Sequence, residues 1–309
     1  MTYQELEEIR NRYNEKQRAN RKKVFSITTP IFGFFAIIML LNGISQTTRY
    51  NGLPSIFMIF TLVIHYFIWS FVILCIVNAF TNSKNYEEYR NAYKNYFITS
   101  TFNKVFTNVQ YSHSAKMPYQ IVAGTGMMNM GDRYNSNDYT IAKYKGIPFS
   151  QADVHIEEEY TDSDGDTTYS TIFRGRYITF DLNKDFSKKL LVANKNFYNE
   201  RRDKTFKKIE LESIDFNRNF DVYAQDGFEA FYLLDPAVME RIQKLSDLHG
   251  GRIMVCFSDK KIHIAINDHR DAFEPASTKV PIDEKAEFDK VMNDIKVITN
   301  IIDEIKLVK

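Results

Sequence analysis

The spacing of apolar and polar positions sets one part of this chain apart from the rest. Residues 24–48 and 50–83 contain no Asp, Glu, Lys or Arg, and only Arg49 separates the two runs. Each run is long enough to cross a bilayer core, which takes about 20 helical residues. The pattern therefore predicts a two-helix membrane hairpin, with transmembrane helices at 24–44 and 54–80 joined by a short external loop at 45–53.

The distribution of basic residues predicts the orientation of this hairpin. Residues 1–23 carry seven Lys and Arg residues, the loop carries Arg49, and four more follow the second run by residue 104. Basic residues concentrate on the cytoplasmic side of membrane proteins. We therefore expect a multi-pass protein of the inner (plasma) membrane, in contact with membrane lipids and with both termini in the cytoplasm. Two alternatives stay open, a cleaved signal peptide and a buried hairpin of a soluble core.

Helices are predicted on both sides of the hairpin. Residues 84–108 carry Tyr86, Tyr89, Tyr93 and Tyr96 at spacings of three and four, which places these rings on one helical face. The cytoplasmic N-terminal helix, within 1–23, carries a thinner apolar stripe that should abut the same region. The tyrosine stripe fits either a helix lying against lipid headgroups or a helix packed on the domain that follows.

Residues 119–309 predict a cytoplasmic α+β domain with a mostly antiparallel sheet. Alternation of apolar and polar residues indicates strands between 119 and 193, and a hairpin at 252–266 around Ser258-Asp259-Lys260. Asp235-Pro236 should open a helix that stops at Gly250-Gly251. A final amphipathic helix at about 283–307 has an apolar seam at 288–305, which would cover the sheet or join two copies in a homo-oligomer.

Composition narrows the classes of function. The net charge of +1 and pI of about 7.7 argue against a nucleic-acid-binding surface. Two cysteines cannot form a disulfide framework. If the predicted hairpin is short, Cys256 and His263 face each other, but one Cys–His pair is not a zinc site. We therefore expect neither a metal nor a cofactor.

A pair of carboxylates is the one arrangement in the sequence that would be compatible with an enzyme. Asp226 and Glu229 lie three residues apart, and a catalytic pair would need pKa values that its environment pushes apart. The sequence alone does not show such a difference, so no catalytic residue is assigned.

The segment around these carboxylates resembles the signature of a bacterial two-span membrane family known only as a domain of unknown function. That signature reads close to F-x-V-Y-S-x-D-x-x-E-A-R-Y-x-L-x-P-x-x-M-E-R. The matching residues are Phe220, Val222, Tyr223, Asp226, Glu229, Ala230, Tyr232, Leu234, Pro236, Met239, Glu240 and Arg241. Ala224 and Phe231 depart from it, and the stretches Phe173-Arg-Gly-Arg, Asn183-Lys-Asp-Phe and Phe273-Glu-Pro also fit the family.

The resemblance implies paired N-terminal spans and no established activity. Members of this family often lie near genes for LemA-type membrane proteins, which suggests a membrane-protein partner of that type. Tyr223, Asp226, Glu229 and Tyr232 are the residues of the signature that we expect to bind a ligand or partner.

Three functional hypotheses follow. The leading one is a non-enzymatic, membrane-anchored cytoplasmic module for interaction or sensing. The second is a domain that binds lipid or a small ligand at the inner membrane face. The third is an enzyme that uses Asp226 and Glu229.

Overall fold

The structure is a computed structural model that describes residues 1–50, 56–195, 197, 204–275 and 277–305, except for some side chains in two long helices and in the strand Thr167–Asn194. The chain divides into two compact units. The first unit comprises residues 1–96 and 275–283, and the second comprises residues 97–274 and 284–309.

The first unit contains two long helices, α1 (Tyr3–Tyr50) and α2 (Ile56–Tyr93). They run antiparallel, because Arg12 near the start of α1 contacts Glu88 near the end of α2 at 3.2 Å. The rings of Tyr13 and Tyr86 lie 5.9 Å apart. Since Tyr13 also stacks on Tyr89, the tyrosine stripe of α2 packs against the stripe of α1, as the sequence indicated.

The segment 275–283 is held against α1 by polar contacts. The Arg10 guanidinium donates to the carbonyl of Thr278 at 2.8 Å, and Asn14 Nδ2 donates to the same oxygen at 2.6 Å. The Ile282 amide donates to Glu7 Oε1 at 2.7 Å. Burial raises the pKa of Glu7, but its bonds to Arg10 and to the Ile282 amide outweigh burial, and the net pKa is lowered.

The structure corrects the membrane prediction. Among the described residues, no helix is both long enough and apolar enough to cross a membrane. This finding contradicts the transmembrane helices predicted at 24–44 and 54–80, and with them the multi-pass inner-membrane location. Absence of charge is a weaker criterion than apolar character, because the same runs also contain Ser, Thr, Asn and Gly. Part of the predicted loop, 51–53, lies outside the described residues, as do residues 54–55.

Several large apolar side chains of the two long helices are exposed. They are Phe25, Ile27, Ile31, Phe34 and Ile37 of α1, and Ile64, Phe67, Ile68, Trp69, Phe71, Val72 and Ile76 of α2.

In the second unit, seven described strands form one antiparallel sheet. They are β1 (Thr107–Ser112), β2 (Arg133–Tyr144), β3 (Ile147–Thr161), β4 (Thr167–Asn194), β5 (Lys207–Ile209), β6 (Phe220–Ala224) and β7 (Ile253–Ile266). The long strand β4 is central. One of its edges pairs first with β3 and then with β6, and its other edge pairs with β7.

The described helices of this unit are short, apart from two. They are α3 (Ser100–Val105), α4 (Tyr119–Ala123), α5 (Ile214–Asn219), α6 (Gly227–Leu233), α7 (Pro236–Leu248) and α8 (Glu284–Ile305). A π-helical segment, Lys94–Thr99, lies between α2 and α3.

Helix α7 confirms its sequence prediction. Asp235 caps its N-terminus by accepting a hydrogen bond from the Val238 amide at 2.8 Å, and Pro236 occupies the first turn. At its C-terminus, Gly250 and Gly251 adopt positive φ angles of 63° and 71°, which permits the amide of Gly251 to reach the carbonyl of Ser246.

Helix α8 also forms where the sequence predicts it, and residues 306–307 of the predicted range lie outside the described residues. Four seam residues, Val291, Ile295, Ile298 and Ile302, are fully buried within the second unit. Phe288 of the same seam packs edge-on against Phe97, with ring centroids 4.8 Å apart. The seam therefore covers other elements of its own unit.

Several local predictions were wrong. β1 begins at Thr107, inside the helix predicted at 84–108, and residues 119–123 form α4. The predicted hairpin at 252–266 is one continuous strand, β7, whose residues pair with β4 on both sides of Asp259. Phe228, Ala230, Tyr232 and Leu234 recur at alternate positions, a pattern that favours a strand, but residues 228–233 form helix α6. In each case long-range pairing or a helix cap overrode the local pattern.

Candidate functional site

A cavity of about 370 Å³ lies on one face of the sheet, beside helix α4. Residues of β2, β3, β4 and β7 line it, together with Gln120 and Ile121 of α4 and the two residues that follow this helix, Gly124 and Thr125. A volume of this size falls within the range of pockets that hold small molecules. It is therefore the candidate functional site of the second unit.

Strand register brings the polar floor of this cavity together. Ser150 of β3 lies opposite Thr179 of β4, and Thr179 lies opposite His263 of β7. Directly opposed residues of antiparallel strands share a face, with Cβ atoms about 5 Å apart. One row across the sheet thus places a hydroxyl, a second hydroxyl and an imidazole side by side, and all three residues line the cavity.

Thr179 carries an unsatisfied polar group. The residue is 3% exposed, and its Oγ1 has no hydrogen-bond partner among the residues that the structure describes. A buried hydroxyl without a partner costs about 1–3 kcal/mol. Thr179 lines the cavity, although its Oγ1 is itself buried. A bound molecule could supply the missing bond once the side chain turns towards the cavity.

His263 is buried and fixed at one nitrogen. Its Nδ1 lies 2.9 Å from Tyr177 Oη, and the residue is 5% exposed. Burial lowers the pKa of His263 to about 4, with a smaller contribution from Lys261 nearby. Burial also raises the pKa of Tyr177 well above its usual value. At neutral pH the histidine is therefore uncharged and the tyrosine keeps its proton.

These protonation states assign the tautomer of His263. We assign Tyr177 Oη as the donor to Nδ1, because its contacts with the Ile121 carbonyl (3.4 Å) and Met127 Sδ (3.6 Å) are longer. The proton of the neutral ring then resides on Nε2. The cavity floor thus offers one N–H donor at Nε2 beside the Thr179 hydroxyl, which can donate and accept.

The mouth of the cavity carries charge. Lys261 Nζ forms an ion pair with Asp181, its cross-strand partner. Asp259 accepts a hydrogen bond from Ser258 Oγ at 3.1 Å and is exposed. Just outside the cavity, Lys189 Nζ donates to the carbonyl of Gly124 at 2.6 Å.

Acid should destabilise this protein through two histidines. Burial lowers the pKa of His249, as of His263, to about 4, and Arg176 adds to the effect at His249. Between about pH 6.5 and pH 4 the unfolded chain binds protons that the folded chain does not. Stability should thus be complete above about pH 6.5 and fall towards pH 4, by about 3 kcal/mol for each histidine. Urea unfolding followed at several pH values measures this slope.

Histidine variants test the origin of that slope. His263→Gln removes one of the two groups and should reduce the slope over this pH range. The exposed His269 provides the control, because His269→Gln should leave the slope unchanged. An unaltered slope in His263→Gln would contradict the assignment.

The residues expected from the signature lie elsewhere. Tyr223 is half-buried on β6, opposite Leu191 of β4. Asp226 is the N-cap of α6, where its Oδ1 accepts from the Phe228 amide at 2.8 Å, and Glu229 lies in the first turn of the same helix. Tyr232 is 70% exposed. None of these four residues lines the cavity described above, and their role in binding stays a prediction.

The predicted neighbours Cys256 and His263 belong to one strand and do not face each other across a hairpin. Cys256 pairs with Leu191, whereas His263 pairs with Thr179. Cys256 is fully buried in the apolar core, and burial raises the pKa of its thiol to about 12. Its thiol is therefore neither a ready nucleophile nor a ready metal ligand.

A carboxylate cluster is a second arrangement of charged groups. Asp138, Asp271 and Glu274 each place a carboxylate oxygen within 4.8 Å of the others, close enough to share a cation. Donors already occupy part of this cluster. Asn137 Nδ2 donates to Asp138 at 3.2 Å and to Asp271 at 3.1 Å, and Tyr111 Oη donates to Asp138.

Sequence reasoning missed Thr179, and it took His263 for part of a pair with Cys256. The alternation in Arg176–Leu182 places Thr179 on the same strand face as Tyr177. Alternation does not give the register between strands that are 84 residues apart in sequence, such as those of Thr179 and His263. A search for polar residues at apolar-face positions of predicted strands would have marked both residues.

Comparison with known proteins supports the resemblance at a coarse level. Residues 171–307 match the family model described as "Protein of unknown function (DUF3137)". No curated protein matches the chain. A solved structure that matches is the crystal structure of the mycobacterial trehalose monomycolate transport factor A, TtfA, with 9% identity and a TM-score of 0.39, covering 69% of this chain and 93% of that one. A likeness this weak supports no argument about fold or function.

The matched span runs from β4 to the end of α8 and contains both Thr179 and His263. The bacterial origin and the residue signature are not tested by this match and stay predictions. Residues 171–307 are thus similar to a family whose function is unknown.

Proposed function

We propose that the second unit is a binding module for a small polar molecule, which it takes up in the cavity beside α4. One observation carries this proposal: a buried wall residue, Thr179, has a hydroxyl without a partner among the described residues, in a cavity of about 370 Å³. Buried polar groups are almost always hydrogen-bonded in native proteins. A ligand with a suitable polar group would satisfy this one.

Binding is better supported than catalysis. An activated hydroxyl nucleophile requires a base within hydrogen-bond reach. Thr179 Oγ1 forms no hydrogen bond with His263, and Nδ1 of that histidine is engaged by Tyr177. The alternative enzyme hypothesis, based on Asp226 and Glu229, places its two carboxylates on α6, where Asp226 serves as the helix cap.

A fragment screen with ligand-detected NMR on the full chain tests the proposal. We expect fragments whose affinity falls about tenfold in Thr179→Val, since this isosteric change removes one hydrogen bond worth about 1–1.5 kcal/mol. Thr168→Val is the matched control, because Thr168 is exposed on the same strand and does not line the cavity.

A second variant blocks the space itself. Ser150→Phe fills the cavity from the neighbouring strand, and it should abolish binding of the same fragments while circular dichroism shows a folded sheet. If no fragment depends on Thr179 or on Ser150, the proposed function is wrong.

Two other functional hypotheses concern membrane anchoring and binding of a protein partner. The finding on the described helices contradicts membrane anchoring, so it forms no part of this proposal. Interaction with a protein partner through Tyr223, Asp226, Glu229 and Tyr232 stays a prediction.

A further inference from the structure

We propose that the ligand of this cavity presents an uncharged hydrogen-bond acceptor to the floor and a positively charged group to the mouth. This inference rests on the proposed function and adds the chemical class of the ligand. It follows from the different chemistry of two parts of one cavity, the floor of Thr179 and His263 and the mouth of Asp181, Asp259 and Lys261.

The floor favours an uncharged group. Thr179 and His263 are 3% and 5% exposed, so a group that reaches them leaves water almost completely. Removing an ion from water costs several kcal/mol unless an opposite charge accompanies it. The floor supplies no such charge, because His263 is uncharged at neutral pH and Lys261 is held by Asp181 at the mouth. A neutral carbonyl or ring nitrogen would accept from Nε2–H without this cost.

The hydroxyl of Thr179 adds a second requirement. It can donate to an acceptor or accept from a donor, since it has one hydrogen and two lone pairs. A primary amide satisfies both floor residues at once, because its oxygen can accept from His263 Nε2 and its nitrogen can donate to Thr179. An alcohol or a ring nitrogen beside an N–H would do the same.

The mouth favours a cation. Lys261 and Asp181 neutralise each other, and Lys189 donates to the Gly124 carbonyl just outside the cavity. Asp259 forms no ion pair among the described residues, and its carboxylate accepts only the neutral hydroxyl of Ser258. Within the described part of the chain, this leaves one negative charge at the mouth without a cationic partner. A ligand ammonium placed there would gain a charge-assisted hydrogen bond.

Three probes of matched shape test the class directly: benzamide, benzoate and 4-(aminomethyl)benzamide. Titration of the full chain, followed by protein-detected NMR, gives their affinities. We expect 4-(aminomethyl)benzamide to bind most tightly, benzamide about tenfold more weakly and benzoate more weakly still. The advantage of the amine should shrink as salt is raised, because the mouth is exposed.

Two variants separate the floor from the mouth. Asp259→Asn should bring the affinity of the amine down to that of benzamide and leave benzamide unchanged. Asp164→Asn removes an exposed carboxylate in the β3–β4 loop, outside the cavity, and should change neither affinity. Thr179→Val should weaken both amides about equally.

The outcomes distinguish this inference from the proposed function. If benzoate binds as tightly as benzamide, or if Asp259→Asn leaves the amine advantage intact, the ligand class is wrong. If none of the three probes binds but Thr179-dependent fragments do, the class is wrong and the binding function stands. If neither the probes nor any fragment depends on the cavity, both are wrong.

Discussion

Replacing Arg176 with methionine is expected to lower the free energy of unfolding by about 3–5 kcal/mol. Arg176 is 4% exposed and lies between two carboxylates, with nitrogen–oxygen distances of 3.9 Å to Asp153 and 3.9 Å to Asp294. It also donates to the carbonyl of Asp294 at 2.6 Å, and its guanidinium lies 5.0 Å from the ring centroid of Phe273. Methionine preserves much of the volume and removes the charge, so the buried carboxylate of Asp153 and the partly buried carboxylate of Asp294 lose their counter-ion.

The expected loss of stability is large because the carboxylate of Asp153 stays buried when Arg176 is replaced. The ion pairs themselves are loose, and Arg176 Nε has no hydrogen-bond partner among the described residues. Asp153, by contrast, is 4% exposed and accepts from the Ala272 amide at 3.0 Å, so its carboxylate cannot turn towards water. An uncompensated buried charge therefore causes most of the loss.

Urea unfolding measures this change, with Arg174→Met as the matched control. Arg174 is exposed two residues earlier on the same strand, and its loss should change stability by less than about 0.5 kcal/mol. In a double-mutant cycle, Asp153→Asn should recover part of the loss caused by Arg176→Met. Equal effects of the Arg174 and Arg176 variants would contradict the assigned role.

Gly175→Ala should destabilise the second unit by about 3 kcal/mol, at the upper end of the usual cost of overpacking. A Cβ at this position would lie 2.0 Å from the carbonyl oxygen of Ile266 and 3.0 Å from Asp268 Oδ1. The nearest atom belongs to the backbone of β7, which is paired along β4 and cannot move without breaking the ladder. The close approach of the two strands therefore requires glycine.

Gly146→Ala separates this steric effect from the effect of backbone conformation. Gly146 has a φ of 84° and no atom within 4 Å of an added Cβ, so alanine there should cost only about 1–2 kcal/mol. Thermal or urea unfolding of both variants gives the comparison. If Gly175→Ala proves as mild as Gly146→Ala, the strands are not as closely apposed as described.

These two positions explain part of the predicted family resemblance. Gly175 and Arg176 belong to the stretch Phe173-Arg-Gly-Arg, which sequence reasoning could only recognise as a pattern. The structure gives each residue a physical role, since Phe173 is fully buried in the core, Gly175 permits contact with β7, and Arg176 compensates the buried carboxylate of Asp153. In the same way, Asp226 and Asp235 of the signature segment are helix caps.

Local signals were sufficient where a helix has its own start, stop and apolar stripe. Asp235-Pro236, the glycine pair after α7 and the seam of α8 are readable within one segment, and both helices form there. Local signals failed where the outcome depends on distant strands. The continuous strand β7 resembled a hairpin because Ser258-Asp259-Lys260 has turn composition, and pairing with β4 overrode that preference.

The sequence by itself determined the α+β class, the antiparallel character of the sheet, and the two amphipathic helices at the end of the chain, because these depend on periodicity and on caps within single segments. It did not determine the candidate site. Thr179 and His263 share one cavity because β4 and β7 pair in one register, and a shift of one residue would turn one side chain away from the other. Tertiary structure also decided burial, which gives His263 its lowered pKa and leaves the Thr179 hydroxyl without a partner among the described residues. Register and burial arise from contacts between distant parts of the chain, so the periodicity of a single segment does not predict them.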